Sequence, residues 1–233
     1  MAINPQIKTL DLRPPKAPNL PIAPVDYRQT YQDQLLNALR LYFNQIDNFA
    51  QPFTNQNGGS YLQFPFIEAS DSNFQYATAT NTATIVEWTT TSLGSGFTLN
   101  SDYTATVQYA GVYKITYSLQ FANDDNAAHD AIVWLRINGA DSTYDVANST
   151  TIFTVGARKS AGVPTYVAGY SEVVFSLNAG DNVGLWWGTT QAATSGGATG
   201  IYMYSQAAQT TPMAYPATPS AIGSITFVSA LTA

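Results

Sequence analysis

Cysteine is absent from all 233 residues, and histidine occurs once, at His129. Disulfides and thiolate metal centres are therefore excluded, and a single imidazole cannot build a His-rich metal site. A cysteine-free chain fits assembly in a reducing cytoplasm. Charge is scarce too: 10% of residues are Asp, Glu, Lys or Arg, against roughly 25% in ordinary soluble domains. With 9 basic and 15 acidic residues the formal net charge is −6. No basic run exists, so neither nucleic acid nor an anionic membrane is an expected partner. No segment approaches the roughly 18 consecutive apolar residues of a membrane span, so membrane insertion is not expected. The first residues, Met1-Ala-Ile-Asn-Pro-Gln-Ile-Lys8, lack the cationic and apolar regions of a secretory signal. The expectation is release inside an assembled particle.

The remaining composition is 45% hydrophobic, filled out with Tyr, Thr, Ser, Asn, Gln and Ala. Such neutral, hydroxyl- and amide-rich surfaces are common on β-rich extracellular and virion proteins. Residues 1–25 contain Pro5, Pro14, Pro15, Pro18, Pro21 and Pro24. Each proline lacks a backbone donor and holds its predecessor extended. This stretch reads as a polyproline-like arm with no core of its own, expected to lie on a neighbouring subunit. A helix is expected over residues 26–54. Asp26 is its expected N-cap, with Gln29 completing a capping box, and Pro52 and the Gly58-Gly59 pair stop it. Leu36, Leu39, Phe43, Ile46, Ala50 and Phe53 recur with the 3-4-3-4-3 spacing of a coiled-coil seam. Leu35, Leu41 and Tyr42 widen that face. The seam is expected to bury against another chain, as an oligomer or shell interface. Residues 55–60, Asn-Gln-Asn-Gly-Gly-Ser, form a turn-rich linker.

Residues 61–233 read as strands. Val112 to Phe121 alternates cleanly and puts Tyr113, Ile115, Tyr117, Leu119 and Phe121 on one face. Ile132 to Ile137 ends at Asn138-Gly139, a hairpin signal. Val173, Phe175 and Leu177 alternate before Ala179-Gly180-Asp181, and Val183, Leu185 and Trp187 after it. Ile225, Phe227 and Leu231 mark a last strand. Many short strands between regular turns imply a β-sandwich or barrel.

Three of these segments carry a resemblance. Tyr109-Ala-Gly-Val-Tyr-Lys-Ile-Thr-Tyr117, Ala131-Ile-Val-Trp-Leu-Arg-Ile-Asn-Gly139 and Val173-Val-Phe-Ser-Leu-Asn-Ala-Gly-Asp-Asn-Val183 resemble strands of the tumour necrosis factor-like jelly roll, the family of the complement globular head. The third is similar to its Leu-x-x-Gly-Asp-x-Val hairpin. There, Gly180 would supply a turn torsion that most residues avoid, and Asp181 would bond neighbouring amides. The resemblance implies a ten-strand jelly roll that trimerises through its flat side, with both termini at one end. Leu10-Asp-Leu-Arg13, Pro18-Asn-Leu-Pro-Ile-Ala-Pro24 and the run Tyr31 to Asp47 resemble the N-terminal anchor of virion proteins of marine tailed phages, cyanophages included. That resemblance implies a particle component, whether head decoration, head fibre or tail appendage.

Sites of chemistry are hard to find. His129 stands beside Asp130 in a polar segment that reads as a loop. Asp124, Asp125 and Asp130 lack the spacing of a calcium loop, so a solvated loop is expected and a metal there is left open. Glu occurs only at positions 68, 87 and 172, and no phosphate-cradling glycine motif is present. No catalytic role, cofactor or enzymatic activity is expected. The aromatics are the better lead. Alternation turns Trp187 inward, and turns Trp134, Arg136 and Trp186 outward, as a head interface or as a stacking platform for sugar. The expected fold is therefore mainly β: a jelly-roll sandwich preceded by an extended proline-rich arm and one α-helix. The expected function is a capsid decoration or head-fibre homotrimer, docked on major capsid or other virion proteins. The alternative is a tail-appendage adhesin that recognises host surface glycan.

Overall fold

The computed structural model describes residues 16–54, 64–194 and 199–231. It divides into two compact units, residues 1–63 and 64–233. The expected arm residues 1–15, the linker 55–60 and the side chain of Phe53 lie outside the described residues.

In the first unit, residues 16–24 have no regular secondary structure. Pro18, Pro21 and Pro24 recur every third residue, the repeat of a polyproline helix. Helix α1 spans Gln29–Thr54. It starts three residues after the expected Asp26 cap. The Arg28 carbonyl takes the first amides, from Tyr31 at 3.1 Å and Gln32 at 3.3 Å. The helix runs two residues past Pro52, so that proline falls in its last turn instead of ending it. Of the expected seam, Leu36 and Phe43 are exposed, while Leu39, Ile46 and Ala50 are half-buried.

The second unit is all-β among its described residues, apart from one 3-10 turn at Ser142–Tyr144. Its strands are β1 (Phe66–Asp71), β2 (Gln75–Tyr76), β3 (Thr84–Ile85), β4 (Thr90–Ser95), β5 (Phe97–Leu99), β6 (Ala105–Val107), β7 (Gly111–Asn123), β8 (His129–Ile137), β9 (Thr151–Val155), β10 (Thr165–Leu177), β11 (Asn182–Thr189), β12 (Ile201–Met203) and β13 (Ala221–Ser229). These strands pair with one another antiparallel. One sheet runs β4-β1-β13-β7-β10, and the other β5-β6-β11-β8-β9. The short β12 shares the β13 edge of β7 and carries β2, and β3 shares the β6 edge of β11. Taking the eight longer-spaced strands in chain order, β1 and β6 to β11 with β13, the sheets read 1-8-3-6 and 2-7-4-5. That is the order of a jelly roll, two Greek keys wound into a sandwich.

Alternation explains why these strands pack. On β7, Tyr113, Ile115, Tyr117, Leu119 and Phe121 are all buried and face the core, while Lys114, Thr116 and Ser118 point away. On β11, Val183, Leu185 and Trp187 face the same core from the other sheet. A buried aromatic of this size contributes roughly 2–3 kcal/mol by burial alone.

Three local readings change. Asn138-Gly139 does not close a hairpin, because β8 reaches its partner β9 only after a connection that includes the 3-10 turn. Asn138, at φ 65°, instead exchanges bonds with the neighbouring turn: its amide donates to the Asn182 carbonyl, and its Oδ1 accepts from the Asn182 amide, each at 2.8 Å. Ala179-Gly180-Asp181 also joins no hairpin. It carries the chain from one sheet to the other, since β10 pairs with β7 and β11 with β8. The expected chemistry of that turn is present. Gly180 sits at φ 91° and its amide donates to Val107, while Asp181 accepts from the Asn178 amide at 2.7 Å and from Asn138 Nδ2 at 2.8 Å. Leu231 lies beyond the end of β13. Finally, Asp71 is fully buried at the end of β1 and satisfied by Asn73, Gln75 Nε2 at 3.0 Å and Thr89 Oγ1 at 2.5 Å, which pins the turn that follows.

Candidate functional site

The structure brings Trp134, Arg136 and Trp186 together on the outer face of the β5-β6-β11-β8-β9 sheet. Trp186 pairs directly with Trp134, and Gly184 with Arg136. Gly184 leaves room for the Trp186 ring, whose Nε1 would lie 3.0 Å from a Cβ there. The Arg136 guanidinium fills the space over both indoles, 4.4 Å from the Trp186 centroid and 5.5 Å from that of Trp134. Its Nε donates to Asp145 Oδ1 at 2.6 Å, which also accepts from Trp134 Nε1 at 2.7 Å. A further bond runs from the guanidinium to the Ala140 carbonyl. Arg136 is only 6% exposed. The indoles therefore have a cover supplied by their own chain, a cation over two ring faces.

The outer face of the β4-β1-β13-β7-β10 sheet is different. Its rows read Ser70, Ile222, Ser118, Tyr170; then Leu93, Glu68, Ser224, Thr116, Glu172; then Ser95, Phe66, Thr226, Lys114, Val174. Phe66, Leu93, Tyr170, Val174 and Ile222 are all exposed there. Small hydroxyl residues form the floor of a depression of about 350 Å³ that Phe66, Tyr170 and Ile222 also line. The charges are few: Glu68, and a Lys114–Glu172 pair at 3.4 Å.

Along the same sheet, towards β12, lies an aromatic shelf that sequence reasoning missed. Tyr76, Tyr202 and Tyr166 flank Ala122 in one row across β2, β12, β7 and β10. Tyr204 follows, its ring 4.8 Å from that of Tyr166 and 5.5 Å from Phe74, which also meets Tyr202 at 6.0 Å. Burial, with the neighbouring phenols and Asp124 adding to it, pushes the Tyr202 hydroxyl up to about 12. Burial also raises Tyr204, which Tyr166 hydrogen-bonds. The available signal was the alternation of Phe74-x-Tyr76 and of Tyr202-x-Tyr204-x-Gln206. Both stretches are too short to read as strands.

His129 opens β8 and is not in a loop. Its Nε2 lies 2.6 Å from Asp125 Oδ2, and that bond draws the Asp125 carboxyl below its usual range. Asp130 accepts from Thr154 at 2.6 Å. No group of three or more metal-ligating side chains gathers among the described residues.

No family model matches this chain, and no curated protein matches it. Among solved structures it is similar to Eiger TNF from S. frugiperda, at 13% identity over 72% of this chain and 96% of that one, with a TM-score of 0.44. The strand order makes the second unit a jelly roll.

Proposed function

We propose that this chain is a non-enzymatic structural protein of a virus particle, with a jelly-roll head that self-associates as a homotrimer and an N-terminal arm and helix that dock on capsid or other virion proteins. The observation that carries the self-association is the outer face of the β4-β1-β13-β7-β10 sheet. Strand spacings of about 4.8 Å and two-residue rows of about 6.8 Å make that face roughly 400 Å². Five exposed apolar side chains stand on it, Phe66, Leu93, Tyr170, Val174 and Ile222, and grouped exposed apolar side chains mark interaction surfaces on soluble proteins. Its hydroxyl floor and the Lys114–Glu172 pair present little that must be desolvated at high cost, and Glu68 is the charge in these rows that a neighbouring head must pair. The docking role of the first unit is supported by Leu36, Leu41 and Phe43, all exposed on α1. It is supported also by the resemblance of residues 10–24 and 31–47 to phage virion anchors. Deleting residues 1–50 is expected to abolish attachment to particles that carry the protein, while the head stays folded and trimeric. Attachment at the level of the full chain would refute the division of roles.

A further inference from the structure

We infer that the aromatic shelf beside β12 is a binding site for a neutral sugar. It bounds a cavity of about 390 Å³, lined in part by Gln120, Tyr166, Ala168, Tyr204 and Gln206. That volume lies at the lower end of small-molecule sites, which combine aromatic walls with a few placed polar groups. Tyr166, which lines it, is 50% exposed, so its ring is open to a ligand in a way that the Arg136-covered indoles are not.

The chemistry of the lining selects the ligand class. No charged side chain lines the cavity. An anion or cation entering it would lose hydration without a counter-charge. A purely apolar ligand would bury the Gln206 amide, which makes no side-chain hydrogen bond among the described residues, and leave it unpaired. Gln120 uses one amide hydrogen on the Pro219 carbonyl at 2.8 Å, which fixes its orientation and leaves its oxygen to accept. A pyranose meets both demands. Its C–H face rests on the electron-rich face of a phenol ring, and its rim hydroxyls exchange bonds with amides and phenols.

The site is separate from the rows proposed to pair heads. Tyr166 lies four residues along β10 from Tyr170, about 13 Å away. Its failure would therefore leave the trimer reading standing.

The test titrates the full chain with methyl glycosides of glucose, galactose, mannose and N-acetylglucosamine, with maltose, cellobiose and lactose, and with sialic acid as an anionic control. Saturation-transfer NMR and calorimetry are the readouts. At least one neutral sugar is expected to bind. Gln206→Ala is expected to weaken it about tenfold, Tyr166→Ala to abolish it, and Trp134→Ala to leave it unchanged. Gln206→Ala is half-exposed and keeps the inference testable if the tyrosine variant folds poorly. Sedimentation mass should be unchanged in Gln206→Ala. The inference is overturned if no neutral sugar binds at about 50 mM, well above the millimolar range of weak sites. Preference for sialic acid, or binding indifferent to Gln206→Ala, also overturns it.

Discussion

Replacing Arg136 with alanine removes the centre of the cluster on the second sheet. The guanidinium is 6% exposed and makes a 2.6 Å bond to Asp145, while Asp145 itself is 40% exposed. Truncating one partner of a fully buried ion pair costs about 3–5 kcal/mol. Here the stranded carboxylate reaches water, so the charged bond falls to about 1–2 kcal/mol. Loss of the cation over Trp186 adds about 1 kcal/mol, and lost packing of the arginine stem about 1 more. The total is about 3–4 kcal/mol. For a chain of this size that lowers Tm by about 6–16 °C. Lysine should not rescue, because it cannot bond Asp145 and lie flat on an indole together. Differential scanning calorimetry at fixed protein concentration reads the shift. An Arg136→Ala Tm within about 1 °C of the parent, well inside the expected shift, would refute the claim that this cation holds the two tryptophans.

Two further outcomes follow from local geometry. Gly180→Ala meets no atom within 4 Å, so its cost is purely that of φ 91°. The expected loss is about 1–2 kcal/mol by denaturant unfolding, and a loss above about 4 kcal/mol would mean that packing matters there instead. The Tyr202 hydroxyl is raised from 10.0 to about 12 in the folded chain, so folding favours its neutral form. That contribution is whole below pH 10 and lost as pH rises through about 12. Tyr202→Phe should flatten this alkaline limb of a Tm-against-pH profile, and an unchanged limb would show that Tyr202 does not contribute to it.

The sequence made some of this structure legible, through side-chain period. The ten alternating residues from Val112 to Phe121 could face a core in only one way, and Trp187 followed from Val183 and Leu185. Gly180 and Asp181 were readable because turn torsions and amide acceptors are local properties. Sheet membership is not local. Nothing in Ala179-Gly180-Asp181 says whether the next strand pairs back or crosses over, and Asn138-Gly139 has the same left-handed asparagine that a hairpin would use. Arg136 falls on the outward parity of β8, yet Asp145 and two indoles bury it, and two of those partners, Asp145 and Trp186, come from a loop and another strand. The aromatic shelf was invisible for a related reason: its five rings come from three separate segments, none longer than three alternating positions except β10.

The central claim is that heads associate through the face that carries Tyr170 and Ile222. Sedimentation velocity of the full chain and of Ile222→Glu tests it most directly. The parent should sediment at three times its 25.1 kDa chain mass. The variant places a charge on the expected interface and should sediment as a monomer with unchanged far-UV circular dichroism. A monomeric parent at about 10 μM, above the concentration at which a micromolar association is half-formed, or a variant that remains trimeric, would contradict the account.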